Sequence, residues 1–188
     1  GTTRGWHLSA NSHSRIQDKD QDTLKSWFLK RESTWRFLTY KPWIIGGYQW
    51  DAVEHRGEAV WPALCSKSGA IDLFLQKKDA FWQNKSLWTS EPMVHLLPHW
   101  NWDGLEGETI RVFAYTNTDR LELFLNGKSL GYQNIEKFGH GEWQVTYEPG
   151  ELKVVAYDGD RIVAEDVRIT SKKAHRLVLQ LDTKDVSA

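Results

Sequence analysis

The sequence predicts two structural classes in succession: an α/β segment up to about residue 90, followed by an all-β antiparallel sandwich. Two observations carry this prediction. Before Trp88, apolar residues at helical spacing flank one short apolar run, which gives a helix–strand–loop–helix order. After Trp88, apolar and polar residues alternate in short runs separated by turn-forming sequences, as they do in antiparallel sheets.

The first half contains two predicted helices and one predicted strand. Residues 1–20 are polar without apolar periodicity and are predicted to be a loop. Residues 22–40 carry apolar side chains at near-helical spacing, with Asp22 as the predicted N-cap and Pro42 beyond the end. The run 43–50 is short and rich in aromatic and β-branched residues, so it is predicted to be a strand. The sequence KKDAFWQNKSLW predicts a second helix.

The second half is predicted to consist of antiparallel strands. Its alternating apolar positions are Ile110, Val112 and Ala114; Leu121, Leu123 and Leu125; Trp143, Val145 and Tyr147; and Leu152, Val154 and Ala156. A further strand is predicted over 162–169. The sequences NTD, NGK, EPG and DGD lie between these runs, and Asn-Gly suits a tight hairpin turn. The final HRLVLQLDTKDVSA contains one more alternating run.

The composition argues against several classes of function. The 24 basic and 25 acidic residues give a net charge of −1, so neither nucleic acid nor a membrane surface is expected as a partner. The single cysteine, Cys65, cannot form an intrachain disulfide, and no apolar run reaches membrane-spanning length. The outlier is tryptophan, with 11 residues. Tryptophan rings fill protein cores, and their flat faces also suit the apolar faces of sugars.

Metal, thiol and cofactor chemistry find no support in the motifs. His95 and His99 are four residues apart, but Pro98 between them excludes the helix that would place both rings on one face. Cys65 has no histidine motif to activate it, so a catalytic thiol is not predicted. No phosphate-binding loop is present, and no cofactor is expected.

Long stretches of the chain resemble one family of enzymes. The sequence HLLPHWNWDGLEGETIRVFAYTNTDRLELFLNGKSLG, followed by WQVTYEPGELKVVAYDGD, resembles the β-sandwich that follows the catalytic barrel in bacterial glycoside hydrolase family 2 β-galactosidases. Upstream, IIGGYQWDAVEHRGE and WPALCSKSGAIDLFLQKKDAFWQNKSLW resemble the last strand and last helix of that family's (β/α)₈ barrel. The tail AHRLVLQLDTKDVSA is similar to the opening of the next domain. These motifs follow the family's own order from about Trp35 onward.

The resemblance implies a division into three parts. Residues 1–90 would be the C-terminal part of a (β/α)₈ barrel, residues 91–171 an immunoglobulin-like β-sandwich, and residues 172–188 the start of a further β-domain. Within the barrel part, strand 8 would lie at about 43–50 and the last helix at about 79–87. The remaining barrel strands would belong to the parent chain or to a partner chain.

The resemblance also implies a retaining glycosidase that cleaves terminal β-galactosides. Such enzymes use two carboxylic acids roughly 5 Å apart, one as acid/base and one as nucleophile. The family pattern places both glutamates before Gly1, so no catalytic residue is assigned within this chain. The fragment is therefore expected to be inactive alone and to contribute one edge of the sugar pocket.

The predicted sugar-binding residues follow strand 8, because active sites of this fold lie at the C-terminal ends of the strands. The resemblance places Trp50 against the sugar; the rival interpretation is a tryptophan that fills the barrel core. Asp51 and Glu58 are expected either to hydrogen-bond sugar hydroxyls or to form ion pairs within a rim loop. For residues 54–56 the ion-pair interpretation is favoured.

The HWNWDG motif has two interpretations. Trp100 and Trp102 would pack across the junction between barrel and sandwich, with Asp103-Gly104 turning into the next strand, or they would form a sugar-stacking platform. Asp79 is predicted to be the N-cap of the last helix. Three functions stay open: part of a glycosidase, a non-catalytic carbohydrate-binding module, and a domain-assembly module.

Overall fold

The computed structural model describes residues 18–57, 59, 61–62, 64–66, 68–174 and 176–179. These residues contain two helices, α1 (Asp18–Tyr40) and α2 (Asp79–Trp88). The strands that follow are β1 (Val94–Leu97), β2 (Thr109–Thr116), β3 (Arg120–Leu125), β4 (Lys128–Asn134), β5 (His140–Thr146), β6 (Glu151–Asp158) and β7 (Arg161–Ile169). No described helix is both long and apolar enough to cross a membrane.

The seven strands form two antiparallel sheets that pack face to face. One sheet has the order β1-β2-β5 and the other the order β4-β3-β6-β7. Opposed pairs such as Ile110 with Val145 and Leu123 with Val154 point inward. The buried core between the sheets includes Val112, Leu121, Leu123, Leu152, Val154 and Ala156. The predicted antiparallel sandwich is confirmed, because the alternating apolar residues of β2, β3, β5 and β6 point into the core between the sheets.

Two strands, β1 and β4, were not predicted from the sequence, for opposite reasons. All four residues of β1 are buried, because this strand lies between the sandwich core and α2 and shows no alternation. No residue of β4 is buried, since it is the edge strand of its sheet and carries mostly polar side chains. Only the Asn126-Gly127 turn and the pairing with β3 identify β4.

The two helices cover the outer face of the three-stranded sheet. Leu97, Phe113 and Tyr115 form a second, smaller cluster there, with Trp82 of α2 packed against it. Burial is the largest of several influences that raise the pKa of the Tyr115 hydroxyl well above its ordinary value. The molecule therefore has three layers: helices, a three-stranded sheet and a four-stranded sheet.

Helix α1 is fixed both to the three-stranded sheet and to α2. The buried Glu32 carboxylate lies 2.6 Å from His140 Nδ1 on β5, and Arg31 lies within 3.3 Å of Asn84 Oδ1 on α2. Burial lowers the pKa of the Arg31 guanidinium. Trp35 meets Trp88 edge to face, with ring centroids 5.3 Å apart. The predicted helix is therefore present and docked against the rest of the structure.

The predicted boundaries of α1 need one correction. The helix ends at Tyr40, before Pro42, as predicted. Asp22 is not the N-cap, because α1 already includes Asp18, and residues 18–20 are helical rather than loop. The rest of the predicted loop, residues 1–17, lies outside the described residues.

Residues 43–50, predicted to be a strand, are not a strand in this structure. The described residues provide no ladder partner for this segment; its turn is closed by a hydrogen bond from Ile44 N to Lys41 O. Ile45 and Tyr48 are fully exposed. The backbone groups of a strand need adjacent strands as hydrogen-bond partners. The apolar composition of residues 43–50 alone therefore did not produce a strand. Of the predicted further domain, residues 172–174 and 176–179 are described and contain no strand.

A polar cluster lies on the outer face of the four-stranded sheet. The Glu122 carboxylate accepts hydrogen bonds from Ser129 Oγ at 2.5 Å and from Tyr157 Oη at 2.8 Å. Arg120 lies over the rings of Tyr132 and Tyr157, at 5.2 and 4.8 Å. Burial opposes ionisation of Glu122, but hydrogen bonds from Ser129, Tyr157 and Tyr132 outweigh it and lower the pKa of this carboxyl.

The lowered pKa of Glu122 predicts an acid-sensitive contribution to stability. A carboxyl whose pKa falls on folding stabilises the protein above its unfolded pKa, about 4.3, and loses that contribution as the pH falls through the folded value. Urea unfolding between pH 3 and pH 6 should therefore show a shallower acid-side loss in Glu122→Gln than in wild type. Glu165→Gln, at an exposed ion pair with Lys153, is the matched control and should retain the wild-type slope. Identical slopes in all three proteins would contradict this prediction.

Candidate functional site

The segment after Trp50 is held beside residues 69–71 by backbone hydrogen bonds. Ala70 N donates to Asp51 O at 3.2 Å, and Ile71 N donates to Ala52 O at 3.0 Å. The two segments approach so closely at Gly69 that a Cβ there would lie 2.2 Å from Glu54 N. Only glycine fits this approach without displacing the backbone.

Asp51 and His55 form a polar group with Ser66. His55 Nδ1 lies 2.8 Å from Asp51 Oδ2 and 3.0 Å from Ser66 Oγ. The backbone reinforces the arrangement, because Ser66 N donates to His55 O at 2.7 Å and Ser66 Oγ accepts from His55 N at 3.1 Å. The Trp50–Asp51 peptide bond is cis. The Trp50 indole meets the His55 ring edge to face at 5.8 Å and is 59% exposed.

A buried ion pair lies beneath this group. The Lys78 ammonium pairs with Glu54 Oε1, with side-chain exposures of 3% and 11%. Cys65 Sγ donates to the other oxygen, Glu54 Oε2, at 3.3 Å. Glu54 therefore pairs with Lys78, and His55 with Asp51, in line with the ion-pair interpretation favoured from the sequence. Arg56 is exposed, and Glu58 lies outside the described residues.

The start of α2 differs from the prediction for Asp79. Lys78 occupies the N-cap position without a side-chain cap, and Asp79 is the first helical residue. The Asp79 carboxylate instead lies 2.9 Å from His95 Nε2, because β1 passes directly beside the helix start. His95 stacks on Trp82, with centroids 5.0 Å apart and planes 12° apart.

The HWNWDG motif belongs to the sandwich core. Trp100 and Trp102 are almost fully buried there, so neither offers a sugar platform. Their packing across a junction with the barrel stays a prediction. Trp100 Nε1 donates to Glu148 O at 3.0 Å, and its ring meets Tyr147 edge to face. The predicted turn at Asp103-Gly104 is confirmed: Leu105 N donates to Trp102 O at 2.9 Å, and Gly104 has φ +78°.

Ser66, Lys78 and His95 were not predicted from the sequence as members of this network. Their partners lie between 11 and 24 residues away along the chain, or on another layer. A lysine followed by a helix start gives no sign that its ammonium will be buried. No group of three or more potential metal ligands occurs among the described ranges.

The fold and the site define a class: a β-sandwich whose helical side carries a segment with an exposed tryptophan followed by paired acidic and basic groups.

Residues 107–164 match a family model described as "Domain of unknown function (DUF4982)". The chain is 34% identical over 167 residues to the β-galactosidase BoGH2A of Bacteroides ovatus, covering 86% of this chain and 19% of that protein. It is also 34% identical over 162 residues to a putative β-glucuronidase of Formosa agariphila, covering 80% of this chain and 16% of that protein.

Solved structures of glycosidases are also similar to this chain. The crystal structure of a β-glycosidase from Bacteroides vulgatus superposes with a TM-score of 0.75 at 38% identity, covering 84% of this chain and 20% of that one. A glycosyl hydrolase family 2 member from Bacteroides cellulosilyticus gives a TM-score of 0.69 at 26% identity, covering 77% and 24%. The chain belongs to glycoside hydrolase family 2. It spans about a fifth of the length of the curated relatives it matches.

Proposed function

We propose that this chain is the C-terminal part of a retaining glycoside hydrolase that cleaves terminal β-galactosides. Residues up to about 90 complete a (β/α)₈ barrel, and Trp50, Asp51 and Glu58 line one edge of its sugar pocket. The observation that carries the proposal is the exposed Trp50 indole beside an Asp51 carboxylate that His55 holds in place. An exposed aromatic face next to a fixed acceptor is the arrangement that binds a sugar ring and its hydroxyls.

The exposed face of residues 43–50 supports the barrel assignment. Trp43, Ile45 and Tyr48 are all exposed, which is unusual for large apolar side chains so close together. Neighbouring barrel strands on either side would cover these side chains and satisfy the backbone groups of the segment. Helices α1 and α2 are already packed on the sandwich and would form part of the outer ring. The missing strands belong to the parent chain or to a partner chain.

A neutral sugar fits the described edge better than a uronic acid. A uronate carboxylate needs a cation, and the Lys78 ammonium is buried and paired with Glu54. The Asp51 carboxylate lies beside the Trp50 ring, and its negative charge repels another carboxylate. The relatives include both types at the same identity: the Bacteroides ovatus protein is a β-galactosidase and the Formosa agariphila protein a putative β-glucuronidase. Arg56 is the exposed cation of the segment, and it would be needed if the substrate were a β-glucuronide.

The alternative function, a carbohydrate-binding module, has less support. Such a module needs exposed aromatic faces on the sandwich, whereas Trp100 and Trp102 are buried in its core. The sandwich is an accessory domain whose helical side supports the barrel segment.

Hydrolysis assays test the proposal. The 188-residue chain alone should not turn over a chromogenic β-galactoside above a buffer control, because the acid and the nucleophile come from preceding barrel strands. The chain extended to a complete barrel should hydrolyse the β-galactoside in preference to the β-glucuronide. Turnover by the chain alone that is abolished by Glu54→Gln or Glu58→Gln would overturn the barrel assignment. Preference for the glucuronide, lost in Arg56→Gln, would overturn the galactoside assignment.

A further inference from the structure

We propose that His95, on the sandwich, is a positioning residue that fixes the segment carrying Trp50 and Asp51. Three links connect them: His95 is held by β7, it holds the start of α2, and the start of α2 holds the segment. The proposal rests on the proposed function only in describing that segment as the edge of a sugar pocket.

The first link anchors β1 to β7. Asp166 Oδ2 accepts a hydrogen bond from Leu96 N at 2.8 Å, and Arg168 Nη1 donates to Asp166 Oδ1 at 2.7 Å. Arg168 also donates to Leu96 O, and its Nη2 lies 3.4 Å from His95 Nδ1. His95 therefore lies on a strand whose backbone and side chain are both held by the four-stranded sheet.

The second link runs through the imidazole ring. His95 stacks on Trp82 on one side, and the Tyr115 ring lies nearly parallel at 6.3 Å. A carboxylate accepts hydrogen bonds, so His95 Nε2 donates to Asp79 Oδ1 at 2.9 Å, while Nδ1 faces Arg168 Nη2 at 3.4 Å and Asp166 Oδ2 at 3.6 Å. A buried ring with both nitrogens engaged has little freedom to move, and it fixes Asp79 at the first position of α2.

The third link joins the start of α2 to the segment after Trp50. Lys78, next to Asp79, pairs through its side chain with Glu54, and Lys78 N donates to Ala70 O at 3.0 Å. Ala70 N in turn donates to Asp51 O at 3.2 Å. A side-chain route and a main-chain route thus reach the segment at two different residues.

The buried ion pair couples the start of α2 tightly to the segment after Trp50. Separating Lys78 from Glu54 would leave two buried charges without partners, which is strongly unfavourable. If the start of α2 moves, Glu54 must follow it, and Asp51 and Trp50 are only a few residues away. A simple structural role for His95 predicts a different outcome: a less stable protein in which the segment keeps its position.

The single cysteine provides the measurement. Cys65 Sγ donates to Glu54 Oε2 at 3.3 Å, so its reaction rate with 5,5′-dithiobis(2-nitrobenzoate) under native conditions reports on the position of Glu54. His95→Leu removes the donor to Asp79 and should raise the rate about tenfold. His95→Gln keeps an N–H that reaches Asp79 and should restore a rate close to wild type. Val145→Ala, in the sandwich core, is the control that lowers stability without changing the rate.

The outcomes separate the two roles. An unchanged rate in His95→Leu, or an increase that Val145→Ala reproduces at equal stability, would overturn the proposal, as would the absence of rescue in His95→Gln. If His95→Leu does not fold, Asp79→Ala removes the same hydrogen bond from the helix side and must give the same increase. Because the measurement involves no sugar, its failure is distinguishable from a failure of the proposed glycosidase function.

Discussion

Replacement of Trp50 by alanine in the complete enzyme is expected to lower kcat/KM for a β-galactoside by about 100-fold, which corresponds to about 2.7 kcal/mol of transition-state stabilisation. The indole is 59% exposed, and its ring contact with His55 is edge to face, so the chain itself gains little from it. A sugar stacked on that face would bury it and exclude water from the reacting bond. The unfolding temperature should therefore remain close to that of wild type.

A matched substitution in the same segment provides the control. Trp43 lies at the opposite end of residues 43–50, with the Lys41 ammonium over its ring, and in the complete enzyme neighbouring barrel strands would cover it. Trp43→Ala should therefore lower the unfolding temperature but leave kcat/KM per folded molecule within a few-fold of wild type. Steady-state kinetics and thermal unfolding of both variants distinguish the two roles. If Trp50→Ala unfolds and activity falls only in proportion to the folded fraction, Trp50 fills the barrel core and does not bind sugar.

The second large effect concerns stability. Trp100→Ala is expected to reduce the free energy of unfolding by about 3–5 kcal/mol, because it empties a fully buried site in the sandwich core. The substitution also removes the edge-to-face contact with Tyr147 and leaves Glu148 O without the indole donor. Urea unfolding monitored by circular dichroism measures this loss.

Two phenylalanine variants separate the hydrogen bond from the packing. Trp102 is also buried in the same core, but its Nε1 has no hydrogen-bond partner among the described residues. Trp100→Phe and Trp102→Phe remove the same atoms, yet only the first breaks a hydrogen bond. Trp100→Phe should therefore be the more destabilising by about 1 kcal/mol. A small effect of Trp100→Ala, or a larger effect of Trp102→Phe than of Trp100→Phe, would contradict the assigned packing.

The strands of the sandwich core were predictable because their inward-facing residues are apolar and alternate along the sequence. In β3, Leu121, Leu123 and Leu125 point into the core, and Glu122 and Phe124 lie on the other face. Strand β1 was not predicted, since it has only four residues, all of them buried, and shows no alternation. Whether one face of a strand or both faces are covered is decided by elements that are distant in sequence.

The tryptophans illustrate the same limit at the level of single residues. Trp50, Trp100 and Trp102 all stand near turns in aromatic surroundings, so the sequence offered both packing and sugar stacking for each motif. The structure placed Trp100 and Trp102 inside the sandwich, and left Trp50 with an exposed ring. Exposure is a property of what surrounds a side chain, and the residue type does not specify it.

The sequence by itself determined the strands with alternating apolar residues, the helix in α2, the turn at Asp103-Gly104 and the family resemblance, since each depends on local period, turn chemistry or ordered motifs. Only the tertiary structure decided that residues 43–50 form no strand here, that Lys78 is buried against Glu54, and that His95 joins β1 to α2. The physical reason is that hydrogen-bond ladders and buried polar pairs require partners. Those partners are set by how the layers pack, which local patterning does not encode.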